Sequence, residues 1–72
     1  MIHVGMLVKG YFDTMPRKYT VAWLAGMLNC DRTNVYNIFQ RSSIDTQLLI
    51  RLSIILNHNF FKEIAEALDL ET

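Results

Sequence analysis

The side chains that could carry out catalysis or bind a metal ion are few in this sequence and widely separated. His3 and His58 lie near opposite ends of the chain and Cys30 is the only cysteine, so the spacing typical of a zinc site is absent. Ser42 and Ser43 have no neighbouring residues that would complete a nucleophile, base and orienting group, and the sequence contains no glycine-rich phosphate loop. We therefore expect no enzyme activity, no metal and no cofactor.

The composition is typical of one small globular domain that covers residues 1–72. Hydrophobic residues make up 51% of the chain, which is enough for a core and leaves some apolar surface for a partner. A single cysteine forms no intramolecular disulfide, which suits a reducing compartment. The sequence has no run of about 18 apolar residues and no signal-peptide pattern. We expect a soluble, cytoplasmic protein.

Charge is distributed unevenly along the chain, although the net charge is zero. Six basic and three acidic residues precede His58, whereas one basic and four acidic residues lie from His58 onward. The basic part permits a surface for an anionic partner, but a net charge of zero is lower than nucleic-acid binders usually carry. The charge pattern therefore allows such a partner without demonstrating one.

The spacing of apolar residues predicts five helices and no strands, which together form a compact all-α five-helix bundle. A first helix ends before Pro16, because proline cannot donate a backbone hydrogen bond. A fourth helix, about 45–56, is apolar on most of its surface, so we expect it to be the central and most buried helix. The last helix begins near Phe60 and Phe61 and is followed by an acidic tail.

Residues 20–40 form the unit with the most specific spacing. Thr20 and Asp31 are good N-caps for two short helices. Ala25 provides the small residue needed where two helices cross closely. Asn29 follows four positions later and tolerates the left-handed backbone that a tight turn needs. Branched apolar residues then face inward at Val35 and Ile38. This spacing predicts a helix-turn-helix.

The chain resembles the phage-repressor-like helix-turn-helix family (Cro/CI, or XRE-type) over nearly its whole length. It is most similar to a subgroup of short bacterial regulators with the pattern Cys-Asp-Arg-x-Asn-Val-Tyr-x-Ile-Phe, here Cys30 to Phe39, before Ser-Ile-Asp-Thr, here Ser43 to Thr46. The segment Ile55 to Phe61 follows. Asn29 departs from the glycine that the wider family usually has. The resemblance implies a lambda-repressor-like DNA-binding domain.

The resemblance also implies which residues contact DNA. The outward face of the recognition helix, about Asp31 to Gln40, would read base edges in the major groove of double-stranded DNA. An arginine suits guanine, and asparagine or glutamine suits adenine. The base contacts would be Arg32, Thr33, Tyr36, Asn37 and Gln40. The phosphate contacts, before the second helix and after the third, would be Arg17, Lys18, Thr20, Arg41, Ser42 and Ser43.

These expectations describe a sequence-specific transcriptional regulator of bacterial or phage type, located on the nucleoid. The alternative is a protein-interaction module with weak or no specific DNA binding, such as the antitoxin half of a toxin pair. Phe60, Phe61 and Ile54 either complete the core or form the surface of a two-fold homodimer. We expect Trp23 and Met27 to pack in the core or at its rim. We expect Cys30 to be a small buried hydrophobic residue. We expect His58 to help end the fourth helix.

Overall fold

Five α-helices account for the regular structure of residues 2–69, the part of the chain that this computed structural model describes. No strand is present among these residues, so the all-α prediction is confirmed. None of these helices is long and apolar enough to cross a membrane. The helices are α1 (Val4–Asp13), α2 (Val21–Leu28), α3 (Arg32–Gln40), α4 (Thr46–Ile55) and α5 (Phe60–Leu68).

Each helix begins at a side chain that accepts a hydrogen bond from a backbone N–H in the first turn. Such a cap satisfies a donor that has no acceptor inside the helix. The N-caps predicted at Thr20 and Asp31 are confirmed, with distances of 3.0 Å to the Trp23 nitrogen and 2.9 Å to the Asn34 nitrogen. The caps of α1, α4 and α5 are His3, Asp45 and Asn59.

The hydrophobic core contains side chains from all five helices, and α3 packs against both α1 and α2. This arrangement corrects the prediction that the fourth helix is the central one. Only Leu49 and Leu52 of α4 are buried, whereas Ile50 and Ile54 are exposed. The other helices cover one side of α4 and leave the second apolar side in solvent. The buried residues are Val8, Phe12, Leu24, Ala25, Leu28, Val35, Ile38, Phe39, Leu49, Leu52, Leu56 and Phe60.

The start of α1 lies directly against the end of α3. The backbone nitrogens of Val4 and Gly5 donate hydrogen bonds to the carbonyl oxygens of Ser42 and Arg41, each at 2.9 Å. A Cβ atom at Gly5 would lie 2.5 Å from the carbonyl oxygens of Arg41 and Phe39. Glycine is therefore required at position 5 because two backbones approach each other there.

Helix α4 ends close to a residue with a left-handed backbone. Asn57 has a φ of 52°, and the nitrogen of His58 donates to the Ser53 carbonyl oxygen at 2.9 Å. The His58 backbone thus helps to end α4, as predicted. Its imidazole ring stacks on Tyr11 with centroids 4.0 Å apart, and its Nε2 lies 3.0 Å from a Glu63 carboxylate oxygen. The side chain therefore connects α1 with α5.

Candidate nucleic-acid interface

A three-residue turn, 29–31, connects α2 to α3. Asn29 has φ 59° and ψ 44°, so the predicted left-handed conformation is confirmed. Its nitrogen donates to the Gly26 carbonyl oxygen at 3.1 Å, and the Cys30 nitrogen donates to the Ala25 carbonyl oxygen at 2.9 Å. These two bonds satisfy carbonyl groups at the end of α2, and Asp31 caps α3 immediately afterwards. The backbone conformation between α2 and α3 is therefore determined by residues within the turn itself.

The third helix has one face in the core and one face in solvent. Val35, Ile38 and Phe39 are buried against the neighbouring helices, which confirms the predicted inward face. The predicted base-contacting side chains are all on the exposed side, and none of them forms a hydrogen bond or ion pair with another side chain within residues 2–69. They are Arg32, Thr33, Tyr36, Asn37 and Gln40.

The residues predicted to contact phosphates are also exposed, in two separate segments. Arg17, Lys18 and Thr20 precede α2, where the Thr20 hydroxyl oxygen already accepts the hydrogen bond that caps this helix. The second segment, 41–43, follows α3, and the carbonyl oxygens of Arg41 and Ser42 accept hydrogen bonds from the first residues of α1. The side chains of this second segment point away from the core and are accessible.

Positive charge in this region is not neutralised by ion pairs. Among residues 2–69, Lys9 forms an ion pair with Asp13 at 2.7 Å, and the His58 ring lies 3.0 Å from a Glu63 carboxylate oxygen. The basic residues before α2 and in or after α3 therefore have no carboxylate partner in the described part of the chain. Asp31 and Asp45, the carboxylates nearest in sequence to Arg32 and Arg41, accept backbone hydrogen bonds at the starts of α3 and α4. The basic residues of the predicted interface that lack a carboxylate partner are Arg17, Lys18, Arg32 and Arg41.

Asn37 and Arg41 line a groove between α3 and α4. Arg51, which was not predicted as a site residue, lines the same groove. The volume of the groove is about 260 Å³. Arg51 belongs to this groove and donates a hydrogen bond of 3.4 Å to the Leu28 carbonyl oxygen at the end of α2. One signal was available, because Arg51 is the only charged residue in the apolar run 48–56. The lining residues are Leu28, Cys30, Asn34, Asn37, Ile38, Arg41, Leu48 and Arg51.

Trp23, Met27 and Cys30 were predicted to pack in the core or at its rim. Trp23 is partly buried at the rim of the core and packs edge-to-face on Tyr19, with centroids 4.8 Å apart. Met27 is exposed over about half its surface (49%), so the expected packing at this position is wrong. It lies on the side of α2 that faces away from the core. Cys30 is a free, partly buried thiol that packs at the edge of the core.

Neither metal-ligand geometry nor similarity to known proteins adds to this description. Within residues 2–69, no group of three or more histidine, cysteine, aspartate or glutamate side chains could hold a metal ion. Comparison with protein-family models, curated proteins and solved structures finds no match to this chain. The resemblance to the phage-repressor-like family therefore depends on the sequence patterns at Cys30 to Phe39 and Ser43 to Thr46.

Proposed function

We propose that this chain is a sequence-specific, double-stranded DNA-binding transcriptional regulator of bacterial or phage type. In this proposal α2, the turn 29–31 and α3 act as a helix-turn-helix of the lambda-repressor-like kind, and the protein works on the nucleoid. The observation that carries the proposal is the exposed face of α3, where Arg32, Asn37 and Gln40 have no partner among the described residues. Such a face, on a helix held by a rigid core, suits the major groove.

The chemistry of this face fits the reading of a short half-site. Arg32 has the donors for guanine O6 and N7, and Asn37 or Gln40 can both donate to and accept from adenine. Thr33 and Tyr36 would pack against a thymine methyl group or the sugar-phosphate backbone. The nine residues of α3 are about 13 Å long, which is roughly four base-pair steps. Contacts from Arg17, Lys18 and the segment 41–43 to phosphates would set the register of α3 on the DNA.

Selection from a random-sequence duplex pool, at two salt concentrations, tests this function. We expect salt-sensitive binding and enrichment of one sequence motif. Arg32→Ala and Asn37→Ala should each lower the affinity for that motif by about tenfold and relax the preference at one position. Lys62→Ala, which removes an exposed charge on α5, is the control and should bind normally. Unchanged affinity and preference in both α3 variants would show that this helix does not read DNA.

We also propose that the regulator is a homodimer that uses exposed apolar residues of α4 and α5. Ile54 is exposed over 73% of its surface and Phe61 over 39%. Phe60 is fully buried, so for this residue the core alternative is confirmed and the dimer surface excludes it. A two-fold dimer would hold two recognition helices about 34 Å apart and would select a palindromic site.

Sedimentation equilibrium tests the dimer. Ile54→Gln should weaken self-association, whereas Met6→Gln, which removes an apolar side chain of α1 that is 54% exposed, should not. A chain that sediments as a monomer at micromolar concentration, together with a non-palindromic motif, would exclude this dimer.

A second candidate function is a protein-interaction module, such as an antitoxin-like role, and the exposed Ile50, Ile54 and Leu68 side chains favour it. The same selection experiment separates the two candidates. If the protein binds no duplex at either salt concentration, the regulator is rejected and the interaction module is favoured. These three side chains would then be the first ones to mutate.

A further inference from the structure

The groove between α3 and α4 combines an apolar base with a polar rim. Leu28 and Ile38, both buried core residues, lie in its lining together with Leu48. The amides of Asn34 and Asn37 line one side, from α3. This arrangement of apolar surface with a few convergent polar groups is typical of a small-molecule site.

The charge of the groove is entirely positive. Arg41 and Arg51 both line it, no carboxylate does, and neither arginine forms an ion pair within residues 2–69. The guanidinium group of Arg51 makes one long hydrogen bond, 3.4 Å, to the Leu28 carbonyl oxygen, so most of its five N–H donors remain available. Two cations that share a concave site repel each other, and a bound anion would remove this repulsion.

We propose that this groove binds a small oxyanion, such as a phosphate monoester or a dicarboxylate, between Arg41 and Arg51. Guanidinium groups form paired hydrogen bonds with carboxylate and phosphate oxygens, and the amides of Asn34 and Asn37 supply further donors. A volume of about 260 Å³ suits a metabolite smaller than a drug-sized ligand. The apolar base favours a free metabolite over a DNA phosphate, because the carbon atoms of a metabolite can pack on Leu48, which is only partly buried against the core.

The bound oxyanion would regulate DNA binding, a consequence that rests on the proposed function. Asn37 and Arg41 line the groove and also belong to the proposed DNA interface. A ligand that holds these two side chains competes with bases and phosphates for the same donors. The ligand should therefore weaken DNA binding, and by linkage DNA should weaken binding of the ligand by the same factor.

Titration of the ¹⁵N-labelled protein by nuclear magnetic resonance tests the site without DNA. The probes are inorganic phosphate, glycerol 3-phosphate and succinate, at constant ionic strength maintained with sodium chloride. We expect saturable shifts at Asn34, Asn37 and Arg51 with at least one probe. Arg51→Gln should weaken this binding by about tenfold, because it removes a charged hydrogen-bond donor. Lys62→Gln removes the same charge from α5 and should leave the binding unchanged.

Several results would overturn this proposal. The first is shifts that do not saturate with any probe. The second is equal binding of the anion by Arg51→Gln and Lys62→Gln. The third is shifts at the groove residues that a short duplex produces and the free anions do not. If circular dichroism shows that Arg51→Gln unfolds the protein, Arg41→Gln replaces it with the same expected loss. Anion binding in a protein that binds no duplex would reject the proposed function and leave the oxyanion site intact. Duplex binding without anion binding would reject the site alone.

Discussion

At the scale of single residues, two asparagines end helices in the same way. Asn29 and Asn57 both have positive φ, and in each case the next residue donates a hydrogen bond to a carbonyl group five positions earlier. Asparagine is the residue after glycine that best tolerates this backbone, because its short polar side chain forms local hydrogen bonds. The turn before α3 therefore depends on the conformational preference of one residue.

Substitution of Asn29 tests this dependence. Asn29→Ala should lower the free energy of unfolding by about 1 kcal/mol, because alanine resists the left-handed conformation. Asn29→Gly is the matched control, and its stability should equal or exceed that of the parent chain. Urea unfolding followed by circular dichroism gives both values. Equal losses in the two variants would mean that the asparagine side chain, not its backbone, stabilises the turn.

Local residue preferences explain which features of the site could be predicted from the sequence. Thr20, Asn29 and Asp31 act on the backbone within a few positions, so their roles follow from residue type and spacing. His3 caps α1 through its Nδ1 atom, which the sequence reasoning missed because histidine is not a usual N-cap. The contact between Arg51 and Leu28 joins residues 23 positions apart, and it depends on how α4 is placed beside α2.

At the scale of whole helices, the bounds were predicted well and the packing was predicted less well. The apolar pattern of α4 indicates how much apolar surface the helix has, but not which side its neighbours cover. The core is formed around α1, α2 and α3, so Ile50 and Ile54 remain exposed. Nothing in the spacing of α1 indicated that Gly5 would contact the carbonyl groups at the end of α3.

Two glycines of α1 provide a matched test of this packing. Gly5→Ala should lower the free energy of unfolding by at least about 2 kcal/mol, because its Cβ would overlap backbone oxygens that cannot move independently. Gly10→Ala meets nothing within 4 Å and should raise that free energy by about 0.5–1 kcal/mol. Thermal unfolding compares the two. A mild effect at position 5 would indicate that α1 and α3 separate easily.

At the scale of the whole molecule, a net charge of zero conceals two regions of opposite charge. Four basic residues without an ion pair (Arg17, Lys18, Arg32 and Arg41) precede α4, whereas acidic residues outnumber Lys62 from α5 onward. A DNA-binding surface needs local positive charge more than a positive total. The sequence predicted this asymmetry, and the ion pairs of the structure do not cancel it.

The salt dependence of the proposed DNA binding tests whether this charge contacts phosphates. Lys18→Ala should weaken binding to all duplexes by a similar factor and reduce the slope of log affinity against log salt by about 1. Lys62→Ala, which removes one charge from the acidic end, should leave the slope unchanged. Equal slopes for all three proteins would place the phosphate contacts elsewhere on the surface.

The backbone hydrogen bonds between the start of α1 and segment 41–42 affect the rate of amide hydrogen exchange. Amides in the first turn of a helix usually exchange rapidly, because they have no acceptor inside the helix. The amides of Val4 and Gly5 instead donate to the carbonyl groups of Ser42 and Arg41, directly after α3, so their exchange requires local unfolding between α1 and α3. The first turn should therefore be protected in heavy water, and these two amides would report opening of this junction directly.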